Sequence, residues 1–216
     1  MPIVGDPYLN SSSNLLRGRA GSGALIVVLA VASGIAGLGY QVIWAEQFAL
    51  LLGSTQVAVA AVLAAFMLGL TLGSFLIGRV CARLQRPLRW YAAAELVIAA
   101  SALAMRPAVE LAGGLLGPVL GASLDGTAAP PGLSTALYVC AAALLMLLPT
   151  MAMGATLPLL VESTLDRRGS ARAGAGLYSA NTLGAAMGAL GTALVLLPQL
   201  GLANAIYVMV SINVLV

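Results

Sequence analysis

Glu95 is the only acid placed well inside a long apolar run, about two helical turns from the arginine-bearing end of its predicted span. A carboxylate in hydrocarbon is costly, and its default reading is a proton or cation site. The alternative is that it turns toward Arg89 or another loop arginine near the interface. A second group is Tyr40-Gln41-Val42-Ile43-Trp44-Ala45-Glu46, which sets two aromatics, an amide and an acid at the end of an earlier span. Aromatic faces beside a carboxylate can hold an organic cation such as a polyamine. Tyr and Trp at a membrane boundary also serve as anchors that keep their polar edges wet. A third group is Thr150 and Thr156, flanked by Pro149 and Pro158 within one crossing. Each proline removes a backbone donor, so a kink or partial unwinding is expected there, with freed carbonyls near the threonines available to a substrate or ion. Asn181 and Thr182 lie just before Gly184, where the amide bonds across helices or touches a ligand.

These residues must be carried by membrane helices. Hydrophobic residues make up 61% of the 216 residues and charged residues 8%, and the mean hydropathy is +1.02. Ala20–Ala45, Gln47–Gly78, Gly126–Val161 and Ala173–Val216 contain no ionisable acid or base. Each run reaches the roughly 20 apolar residues that cross about 30 Å of hydrocarbon. The expectation is an all-α, polytopic transmembrane bundle of about six spans. They run from Ala24 to Trp44, Gln56 to Gly78, Leu88 to about Met105, Leu133 to Val161, Gly174 to Leu197, and Ala203 to the end. The sixth is short of a full crossing, so the natural product is expected to continue beyond Val216. Residues 1–22 read as a flexible cytoplasmic tail ahead of a transmembrane domain covering 23–216, and Pro107–Gly132 as the main non-spanning segment, where Gly and Pro disfavour a stable helix.

The ten basic residues are all arginine. Arg17 and Arg19 precede the first span, Arg79, Arg83, Arg86 and Arg89 join the second to the third, and Arg167, Arg168 and Arg172 join the fourth to the fifth; only Arg106 falls on the other side. Arginine in short loops marks the cytoplasmic face, so the amino terminus is expected there. The same clustering beside apolar runs argues against nucleic-acid binding. Gly69 and Gly73 in the second span, and Gly184 and Gly188 in the fifth, are four residues apart and form close-packing faces. Cys81 and Cys140 are expected near opposite bilayer faces as buried thiols. With no histidine and two separated cysteines, neither a zinc site nor a Ser-His or Cys-His centre can be assembled, so no catalytic residue, metal or cofactor is assigned to this chain. The glycines around Arg19 and Gly174 lack the strand and spacing of a dinucleotide fingerprint.

Several strings, in order, resemble the membrane region of fused spermidine-synthase-like proteins, which is similar to half of a major facilitator transporter. They are Tyr40 through Trp44, Leu52-Gly53-Ser54, Val62 through Ser74, Met153-Gly154-Ala155-Thr156-Leu157-Pro158-Leu159-Leu160, and Tyr178-Ser179-Ala180-Asn181-Thr182-Leu183-Gly184-Ala185. The resemblance covers about Ser33 to Val216. It implies a bacterial inner-membrane protein in which a soluble aminopropyltransferase-like domain follows on the cytoplasmic side and the helices act as anchor or as a polyamine route. The family commonly has an acid at the position of Gln41 and an arginine at that of Glu46, so a charged role there does not carry over. The competing expectation is a transporter half of major facilitator type that moves a small organic cation or another solute as a homodimer.

Overall fold

The computed structural model describes residues 7–52, 56–121, 131–164 and 171–216. Among them there is no strand. Six helices follow in order: α1 Pro7–Leu52, α2 Gln56–Gly78, α3 Pro87–Gly121, α4 Pro131–Thr164, α5 Ala171–Gly191 and α6 Leu197–Leu215. A 3-10 turn, Cys81–Arg83, sits between α2 and α3, and a π-helical stretch, Thr192–Leu196, joins α5 to α6. Five helical runs are long and apolar enough to cross a membrane; the last of them, Arg172–Leu215, takes in both α5 and α6. The outer surface suits lipid, since Leu96, Leu144 and Leu194 are 59%, 73% and 70% exposed. In water such a surface would be a liability, whereas in hydrocarbon it costs nothing.

The helices pair most closely as α2 with α4, α1 with α5, and α3 with α4. Small residues account for the first two. A Cβ placed on Gly73 would strike the Met151 carbonyl, and one on Gly154 would strike that of Leu70. On the other side, Gly184 and Gly188 lie against the backbone of Val31 and Ile35, while Gly34 meets the Asn181 carbonyl. Gly69 packs on the Thr150 side chain. Without a hydrophobic force between helices in lipid, this close van der Waals contact is what holds them together.

Gly201 redirects the chain. Its φ of 73° and ψ of 174° interrupt α6 near its start, in a backbone region open essentially to glycine alone. Leu177, early in α5, and Val216, at the far end of α6, consequently pack into one cluster with Ala30, Cys81, Tyr91, Leu159 and Leu160. The larger cluster, around Tyr40, Trp44, Phe48, Phe66, Ile98, Met146 and Met209, fills the rest of the interior.

Several expectations change. The third helix does not end near Met105 but continues through Pro107 to Gly121. Ala108-Val109-Glu110-Leu111-Ala112 consists mostly of good helix formers, and Arg106 Nε donates to Glu110 Oε1 at 2.9 Å one turn on, so the missing donor of a single proline does not stop the helix. The first helix reaches back to Pro7, leaving only residues 1–6 of the expected tail outside the described residues. α4 runs through Pro149 and Pro158 as one helix, without the partial unwinding expected of the two prolines; its close seats on α2 and α3 hold it in register. Cys81 is buried, whereas Cys140 is exposed, because Cys140 faces outward near the start of its crossing. Arg167, Arg168 and Asp125 lie outside the described residues.

Candidate functional site at Glu95

Glu95 is 1% exposed on the inner face of α3. Ser33 of α1 donates its hydroxyl hydrogen to Glu95 Oε1 at 2.7 Å, and Asn213 of α6 donates from Nδ2 to Oε2. The Ser33 hydroxyl is also 3.5 Å from Thr156 Oγ1 of α4, which itself donates to the Met153 carbonyl at 2.8 Å. These groups line a cavity of about 100 Å³, completed by Phe66 and Leu70 of α2 and by Asn181 and Ala185 of α5. Every one of the six helices contributes a wall. Sequence-distant elements meet here: 62 positions separate Ser33 from Glu95, and 118 separate Glu95 from Asn213.

The electrostatic character of the site follows from its donors, both of which are neutral. Among the described residues no basic side chain forms an ion pair with Glu95, and Arg89 is exposed. The interfacial alternative, a turn toward Arg89, is therefore not what this structure adopts. An unpaired charge is costly in such surroundings, and burial without a fixed counter-ion favours the neutral carboxyl unless a cation enters.

Tyr40 and Trp44 are not boundary anchors. Both are 0% exposed, and their rings stack at 5.3 Å with an interplanar angle of 18°. An anchor keeps its polar edge in water, yet the Tyr40 hydroxyl and the Trp44 indole nitrogen are buried and find no protein partner among the described residues. Gln41 is half-buried and Glu46 is exposed, so the acid of that string does not share the aromatic pocket. Thr150, fully buried, donates to the Met146 carbonyl at 2.6 Å. Back-bonding of this kind uses the hydroxyls of Thr150 and Thr156 within their own helix. Thr156 still faces the cavity, whereas Thr150 is taken up by the contact with Gly69. Asn181 is half-buried and lines the cavity edge, and Thr182 is exposed and bonds back to Tyr178.

Ser33 and Asn213, the direct partners of Glu95, were not among the residues singled out from sequence. The signal available was weak: each is a hydrogen-bonding side chain inside an uncharged apolar run that holds several others. No family model matches the chain, and neither the curated proteins nor the solved structures yield a match.

Proposed function

We propose that this chain is a membrane-integral domain of spermidine-synthase-like type, six passes arranged like half of a major facilitator fold, in which the Glu95 cavity receives the ammonium end of an organic cation. The single observation that carries the reading is the buried Glu95 carboxylate, held by the neutral groups of Ser33 and Asn213 with the Tyr91 hydroxyl also against it, where all six helices meet. An ammonium group brings the positive charge that this wall lacks, and its N–H groups can meet the oxygens of Glu95, Ser33 and Thr156. The cavity's size suits one such head rather than a whole polyamine chain. The reversal at Gly201 supports six passes, because it returns α6 to the level of α5's first turns. On this reading the bundle anchors an aminopropyltransferase-like partner domain on the cytoplasmic side and gives amines a route toward it.

Calorimetry of the purified chain in nanodiscs with putrescine and spermidine, beside Glu95→Gln, tests the reading. Saturable heat that disappears in the variant is expected. Equal binding in both proteins, or none in parent protein that is demonstrably folded, overturns it.

A further inference from the structure

Tyr40, Trp44 and Gln47 are spaced i, i+4 and i+7 along α1 and so share one face, with Ser33 a further two turns back. All three are buried, at 0%, 0% and 7% exposure. The Tyr40 hydroxyl, the Trp44 indole nitrogen and Gln47 Oε1 have no protein hydrogen-bond partner among the described residues, and the same is true of Thr192 Oγ1 and Asn213 Oδ1. Thr192 stands beside this face rather than on it: Gly39, the residue before Tyr40 and about 100° round the helix, has the Thr192 hydroxyl 3.1 Å from where its Cβ would be, behind Met209. Thr192 also opens the π-helical stretch, a local distortion that commonly re-aims a side chain at a functional site.

The file has two ends. Asn213 lines the Glu95 cavity. Gln47 lines a second cavity, of about 400 Å³, together with Arg106, Glu110 and Ala203 at the end of the bundle remote from the loop arginines. From Ser33 to Gln47 an α-helix rises about 21 Å, a large part of the hydrocarbon thickness.

Buried polar atoms are almost always bonded, so three left without protein partners on one face of α1, with two more on the elements packed against that helix, call for a common explanation. Their chemistry narrows the occupant. The indole N–H can only donate, the Gln47 and Asn213 carbonyl oxygens can only accept, and the two hydroxyls do both. A cation would leave the indole unsatisfied and an anion would leave the amide oxygens so. Water satisfies all five.

We infer that this face of α1 carries a file of water that passes protons between the Gln47 cavity and Glu95. In each transfer the Glu95 carboxyl gives its proton to the adjoining water, leaving a carboxylate and a hydronium whose charge moves outward along the file; reprotonation runs the same steps in reverse. The inference rests on the reading of Glu95 as an exchangeable acid, and it adds where its protons go.

The chain has two tryptophans, which makes the test direct. In protein with nitrogen-15 indoles, Trp90, 55% exposed, is the reference, and Trp44→Phe assigns the two signals. After transfer to heavy water, the Trp44 indole proton should exchange within about tenfold of the Trp90 rate if water reaches it, and Gln47→Leu should slow Trp44 selectively. A Trp44 signal that persists while the Trp90 signal is lost overturns the file. So does exchange unaffected by Gln47→Leu in a variant whose circular dichroism matches the parent. Polyamine binding at Glu95 combined with a protected Trp44 removes the water file alone. Rapid, Gln47-dependent exchange without polyamine binding upholds the file and removes only the cation reading.

Discussion

A carboxylate buried between helices is stabilised by whichever donors reach it, and for Glu95 these are one hydroxyl and one amide from opposite ends of the chain. If the contact with Asn213 holds α6 against α3, the two residues must be energetically coupled. A double-mutant cycle with Glu95→Leu and Asn213→Leu, read by detergent-induced unfolding, should give a coupling of about 0.6–2 kcal/mol, the scale of interhelical hydrogen bonds in bilayers. Additive effects would mean that the pair adds nothing to docking. Glu95 was legible in the sequence because one charge stands out in an apolar run. Its partners were not, since a serine and an asparagine have no such contrast. Their meeting also depends on a chain reversal that no hydropathy pattern encodes.

Proline and glycine exchanged roles between expectation and structure. Partial unwinding was expected at Pro149 and Pro158, yet α4 stays helical through both, because losing one donor is tolerated when neighbouring helices hold the segment on both sides. The break came instead at Gly201, within an uncharged turn that was legible only as a boundary. The end of the third span was misread for a related reason. A charge such as Arg106 ends an apolar run, but backbone hydrogen bonding is indifferent to that charge, so α3 continues. The close-packing glycines were more readable, because four-residue spacing maps directly onto one helix face. Two kinds of glycine should therefore respond differently. Gly188→Val drives a side chain into the Ile35 backbone and should cost about 1–3 kcal/mol of stability by overpacking. Gly201→Ala has open space around its Cβ, yet should lose a similar amount, about 1–3 kcal/mol, through backbone strain alone. Gly176, with nothing near its Cβ, is the control, and Gly176→Ala should be neutral or stabilising by about 0.5–1 kcal/mol. Unfolding midpoints in mixed micelles separate the first two from the control; a neutral Gly201→Ala would mean that the turn does not require a positive φ.

The molecule as a whole is asymmetric in charge along its long axis. Arg79, Arg83, Arg86, Arg89 and Arg172 are exposed at one end, around the cluster of Cys81, Tyr91 and Leu177. At the other, Arg106 is paired with Glu110 beside the Gln47 cavity. Orientation in a bilayer depends on the count of arginines in short loops rather than on net charge, so the Glu110 partner does not alter the bias and the five-arginine end should face the cytoplasm. Single cysteines at Arg86 and Glu110, in a Cys81→Ser, Cys140→Ser background, provide the measurement. In intact cells with a permeable outer layer, a membrane-impermeant maleimide should label Glu110→Cys directly and Arg86→Cys only after the inner membrane is opened. The reverse pattern would invert the molecule and turn the Gln47 cavity toward the cytoplasm. The bias should also be adjustable. Replacing Arg79, Arg83 and Arg86 by glutamine removes three of the five exposed arginines at that end while leaving the buried contacts of the bundle untouched, so the label should divide between the two patterns. A uniform orientation in that triple variant would assign the decision to the arginines around α1 and α5 instead.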